Sequence, residues 1–294
     1  MQEKIELVDF KGKFAEYFMK WTLDHKEEIE KDELDEQELY YDLYDKWLEE
    51  DNPEFGGKAP KDYFEDAEDK RILLSALIDY IKQGISVPDP LVNSIVRHGD
   101  ETYPIILSIL MNTDIYEDLE PDTVDEIRAE CVSLIWDMGK EHPYLRYAEL
   151  LVGQEEDSKL AEILCEILMD RDGDVLDRLY EGYGKAGTYA RTCIIDILSS
   201  HGDERAKELI KEELLKGELD KLFLCSKLMM YNDPEASLII KNQMSSPDND
   251  YYAYRELRNM YEELTGEILD TEDFSGDPTY EVEKYIFEEE DDEK

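Results

Sequence analysis

Four carboxylates give this chain its sharpest candidate for chemistry. Asp170, Asp172, Asp174 and Glu181 fall at positions 1, 3, 5 and 12 of a calcium loop, where hard oxygen ligands surround the ion. Two positions depart from that pattern. Val175 stands where glycine makes the sharp turn, and Asp177 where an aliphatic residue is usual. Val175, Leu176, Leu179 and Tyr180 have the spacing of a helix start, which would carry Glu181 away from the other three. A turn followed by a capped helix explains the same residues, and we expect that rather than an ion site.

The other reactive side chains form no catalytic pattern. His25, His98, His142 and His201 include no pair at the i, i+4 spacing of a zinc site. The turn histidines are expected to bond a helix-end carbonyl or to face water. There is no phosphate loop, no dinucleotide-binding glycine fingerprint, no G-x-S-x-G elbow and no H-E-x-x-H. The sequence therefore assigns no catalytic, cofactor-binding or metal-binding residue, and the expectation is a protein that is not an enzyme. Cys131, Cys165, Cys193 and Cys225 each sit on an apolar helical face, which reads as a small core slot rather than a disulfide framework.

Aromatic residues offer a binding alternative. Trp21, Tyr44, Trp47, Phe55 and Phe64 could line a ligand groove near the N-terminus, although aromatic stripes at helical spacing are usually core. Tyr180, Tyr183 and Tyr189 form a second cluster, and Tyr251, Tyr252, Tyr254 and Tyr261 a third. Tyrosines anchor interfaces well, but most of these read as half-buried helix residues.

The elements that position these residues repeat. Ala190, Cys193, Ile194, Ile197 and Leu198 make one apolar stripe at the 3.6-residue period. A turn at His201-Gly202-Asp203 follows, in which glycine closes one helix and aspartate caps the next. Ala206, Leu209, Ile210 and Leu214 make the next stripe, which stops at Gly217. Similar turns centre on Gly99, Gly139, Gly173 and Asn232, and Pro234 supports Asp233 as a cap. Each cysteine precedes its turn by seven to nine residues.

Paired helices at this interval resemble HEAT-like repeats, over Leu91 to Thr265 and best in the stretches 190–214 and 223–244. The resemblance implies an all-α superhelix, a HEAT-like alpha-solenoid, and a role as a scaffold that holds other macromolecules. The expected organisation is an aromatic helical N-terminal cap over 1–65, helical repeats over 66–265, and an acidic, partly disordered tail over 266–294. Within the cap, helices are expected at 10–30 and 37–49, with the Pro- and Gly-rich break 51–60 after them.

Composition bounds the function. Acidic residues number 77 against 32 basic ones, a formal net charge of -45 over 294 residues. Phosphate backbones and anionic membranes need a positive footprint, so direct nucleic-acid or membrane binding is not expected. A basic protein partner is, with a nucleic-acid mimic or inhibitor of a nucleic-acid-binding protein as the alternative. No apolar run approaches the roughly 18 residues of a membrane span. The N-terminal sequence lacks the basic-then-apolar order of a secretory signal, so a cytoplasmic protein is expected.

Overall fold

The computed structural model describes residues 5–26, 29, 35–67, 69–112, 118–270 and 272–282. Among them every regular element is helical, apart from an isolated antiparallel bridge between Asn52 and Lys58. None of these helices is long and apolar enough to cross a membrane. The chain divides into two compact units, Met1–Pro143 and Tyr144–Lys294, with the boundary inside the stretch read as repeats.

The N-terminal unit contains α1 (Phe10–Asp24), α2 (Glu36–Glu49), α3 (Arg71–Lys82), α4 (Asp89–Arg97), α5 (Gly99–Met111) and α6 (Pro121–Asp137). Asp9 caps α1 by accepting from the Gly12 amide, and Asp35 caps α2 by accepting from the Gln37 and Glu38 amides. Helix α1 is shorter than the expected 10–30, ending at Asp24. Most of the charged stretch after it, 27–36, lies outside the described residues. The break 51–60 folds as a short 3-10 turn, Pro53–Phe55, that buries Phe55. A second such turn, Pro60–Asp62, packs against α2 and α4. Helices α3 to α6 pack on one another, and the Tyr80 hydroxyl of α3 clasps Val8. It donates to the Val8 carbonyl at 2.9 Å and accepts from the Val8 amide at 3.1 Å.

The C-terminal unit contains α7 (Tyr144–Val152), α8 (Lys159–Met169), α9 (Asp174–Gly182), α10 (Thr188–Ser200), α11 (Glu204–Lys216), α12 (Lys221–Met229), α13 (Pro234–Met244) and α14 (Tyr251–Thr265). Successive helices pack together except at the step from α8 to α9, and so do the alternate pairs α7–α9, α8–α10, α10–α12 and α12–α14. The expected turn geometry holds at Gly202, with φ +63°, and at Asn232, with φ +46°, the left-handed region that glycine and asparagine tolerate best. Asp203 accepts from the Arg205 amide and Asp233 from the Ala236 amide, so both act as caps. Gly99 differs. It is the first residue of α5, and there it packs against Met138.

Two further departures concern burial. The stripe of α10 is buried as expected, but on α11 the buried set is Ala206, Lys207, Leu209, Ile210 and Glu213, with Leu214 only half-buried. Residues after Thr265 do not simply trail away. Phe274 and Tyr280 pack against Tyr251, with ring centroids 5.6 and 5.0 Å away, and the Leu269 amide donates to Glu262 at 2.8 Å. The end of the tail, 288–294, six acids followed by Lys294, lies outside the described residues.

Close approach of α7 and α9 depends on Gly182. A Cβ there would sit 2.4 Å from Val152 Cγ2 and 2.9 Å from its Cγ1. Valine is stiff at χ1 and cannot swing aside. Gly182→Ala is therefore expected to destabilise the unit by about 1–3 kcal/mol in urea unfolding, despite the better helix propensity of alanine.

Candidate functional site

The four carboxylates of the possible calcium loop are not brought together. Asp174 is the first residue of α9 and Glu181 lies in its last turn, about 10 Å further along at 1.5 Å per residue. Among the described residues no group of three or more His, Cys, Asp and Glu is placed to hold a metal ion. The histidines have local roles. His201 Nε2 donates to the Met169 carbonyl at the end of α8, at 2.7 Å, as expected of a turn histidine. His25 stacks on Trp21 with its Nδ1 2.9 Å from the Trp21 carbonyl, and His142 lies beside Trp136.

The cysteines are free thiols, and all but the half-buried Cys165 are buried. Burial pushes the Cys131 and Cys225 thiols up to about 12, so neither supplies a thiolate near neutral pH. The fold brings Cys165 of α8 near enough to Cys193 of α10 for each thiol to shift the other's ionisation, a pairing that the sequence does not reveal. Their interaction lowers the Cys193 pKa and raises that of Cys165.

The most elaborate polar cluster in the C-terminal unit surrounds Glu213. This carboxylate is 0% exposed. Arg191 grips it with Nη1 at 3.0 and 3.1 Å from its two oxygens, and reaches Glu218 with Nη2 at 2.9 Å. Lys216 adds a bond at 2.8 Å. Burial alone would raise the Glu213 carboxyl, but the Lys216 bond and the Arg191 charge outweigh it and hold it below the usual carboxylate range. The carboxylate at its centre is closed to solvent, and its bond to Arg191 ties α10 to α11.

Aromatic residues line a concavity of the N-terminal unit. Of the five residues expected to line a groove, Trp47, Phe55 and Phe64 are core, and Trp21 is occupied by His25. Tyr44 alone does line one. Phe10, Phe14, Tyr40, Tyr41 and Tyr44 from α1 and α2 form one side, and Ser86 to Asp89 the other, around an open volume of about 280 Å³. Phe14 is 1% exposed and makes the floor. Tyr40 and Tyr44 stand steeply on it, each with its ring centroid 4.9 Å away, at 83° and 71°. The Tyr44 hydroxyl donates to Asp89 Oδ2 at 2.9 Å, which ties α2 to the start of α4. Burial first, and then the Asp89 charge, push the ionisation of that hydroxyl upward, so it stays a donor. Lys11 stands exposed on the rim.

The strap 86–89 is the part that sequence reasoning missed. Pro88 and Pro90 signal a break between helices, but not which surface the break lies against. The chain matches no family model, and it is significantly similar to no curated protein and to no solved structure.

Proposed function

We propose that this chain is a non-enzymatic, cytoplasmic interaction scaffold, built as a HEAT-like solenoid of helix pairs, whose acidic surface holds a basic protein partner. The reading is carried by how the chain uses its own cations. Lys207 is shared by Glu204 and Asp233, Lys211 by Glu208 and Glu235, Arg205 by Asp177 and Asp203, and Arg191 by Glu213 and Glu218. A cation held between two carboxylates neutralises one of them. The clusters around Lys207, Lys211 and Arg205 therefore keep a net negative charge, and the field of the surplus acids extends from the surface toward solvent.

Such binding is salt-dependent, because the screening length falls from about 10 Å at 0.1 M to about 3 Å at 1 M. The affinity for a lysine- and arginine-rich peptide, measured by fluorescence anisotropy, is expected to drop by at least about tenfold across that range. Salt-insensitive affinity, or no binding at low salt, would remove this reading. Displacement of DNA from the captured partner would move it toward the nucleic-acid mimic.

A further inference from the structure

We propose that the groove of the N-terminal unit seats a lysine or arginine side chain of the partner's basic segment, the cation resting on the faces of Tyr40 and Tyr44 with Asp89 as counter-charge. This rests on the basic-partner reading and gives that partner a specific anchor.

Two independent observations support it. The first is geometry. Tyrosine faces carry the negative side of the ring quadrupole, and a cation within about 6 Å of a ring centroid is attracted to them. Tyr40 and Tyr44 rise from the Phe14 floor one helical turn apart, and the exposed Asp89 carboxylate bonds Tyr44 at 2.9 Å. The groove volume of about 280 Å³ accommodates a lysine or arginine head group together with its methylene stem. Exposed Glu38, Asp42 and Asp45 on α2 extend the negative field to neighbouring cations of the same segment.

The second observation is how the chain seats cations of its own. Lys207 lies 4.9 Å from the Tyr231 ring centroid while bonded to Asp233 at 2.5 Å. Arg205 lies 4.9 Å from Tyr180 with Asp177 at 2.7 Å. Lys241 lies 4.8 Å from Tyr261 with Glu267 at 4.0 Å. A tyrosine face beside a carboxylate is thus the recurring cation seat of this protein, and the groove presents that combination to solvent. Lys11 on the rim is the group that opposes an incoming cation.

Binding of a labelled lysine- and arginine-rich peptide to the full chain at about 0.1 M salt tests the assignment. Tyr40→Ala, which changes no charge, is expected to weaken binding about fivefold or more, while Tyr40→Phe keeps the ring and binds like the parent. Asp89→Asn is expected to weaken it several-fold. Lys11→Glu is expected to tighten it several-fold, and more than Lys82→Glu, an equal charge change on α3. Tyr40 is 38% exposed, so its variants are expected to keep the parent's circular dichroism and melting temperature. Parent-like affinity in Tyr40→Ala, Asp89→Asn and Lys11→Glu together overturns the groove assignment and leaves the acidic-scaffold reading standing. No binding by the parent chain overturns both.

Discussion

Glu213→Ala is expected to cost the C-terminal unit about 3–5 kcal/mol in urea unfolding at neutral pH. The loss does not measure the worth of a salt bridge. Truncation leaves the Arg191 guanidinium, whose side chain is only 14% exposed, without the partner that offset its desolvation. Glu218 still holds one nitrogen, but from the surface. Replacing both members of the buried pair by apolar side chains of similar volume should cost far less than removing Glu213 alone. The pH profile gives an independent check. The folded-state pKa of Glu213 lies below its unfolded value. Its contribution is therefore complete above the unfolded value of about 4.3 and is lost as pH falls through the lower folded one. The parent chain should lose stability in that acid window more steeply than the Glu213→Ala variant. Equal acid slopes, or a cost at neutral pH under about 1 kcal/mol, would show that the buried carboxylate does not tie α10 to α11.

Trp47→Ala is expected to cost the N-terminal unit about 3–5 kcal/mol, and Trp47→Phe under about half as much. Trp47 is 2% exposed and sits among Phe10, Phe14, Tyr44 and Phe55, with ring centroids 6.2, 5.5, 6.0 and 5.6 Å away. These rings come from α1, α2 and the turn at Pro53–Phe55, so one cavity would loosen all three. The surrounding side chains are aromatic and rigid, and cannot collapse into the space as aliphatic ones partly can. Urea unfolding followed by near-UV circular dichroism reads the loss. A cost near 1 kcal/mol would mean that the aromatic cluster is a surface layer rather than a core. Because Phe14 is the floor of the groove, the same variant should also weaken peptide binding.

What the sequence made legible was local. Gly202 and Asn232 declare their turns because few residues accept a left-handed backbone, and Asp203 and Asp233 declare their caps because a side-chain oxygen must meet an orphan amide. The stripe of α10 follows from periodicity alone. Charged residues on buried faces escape that logic. Position 213 continues the spacing of Ala206, Leu209 and Ile210, yet a glutamate there reads as solvent-facing unless Arg191, on another helix, is known to meet it. The groove was half legible. Tyr44 was recognisable as a candidate, while Trp47, Phe55 and Phe64 carry the same signal and became core. Only the path of residues 86–89 separates wall from core, and that is a matter of tertiary placement. Phe274 and Tyr280 were hidden for a related reason, since two aromatics in an acidic stretch show no period.

The Tyr80 clasp on Val8 bears on how the molecule assembles in time. Contacts in the C-terminal unit run mainly between helices one or two places apart, so little chain entropy is spent in closing them. The clasp joins positions 72 residues apart. Closing a loop of that length carries a larger entropy cost than the neighbouring-helix contacts do. The segment around Val8 is therefore expected to join the N-terminal unit late in folding, so that Tyr80→Phe speeds unfolding more than it slows folding.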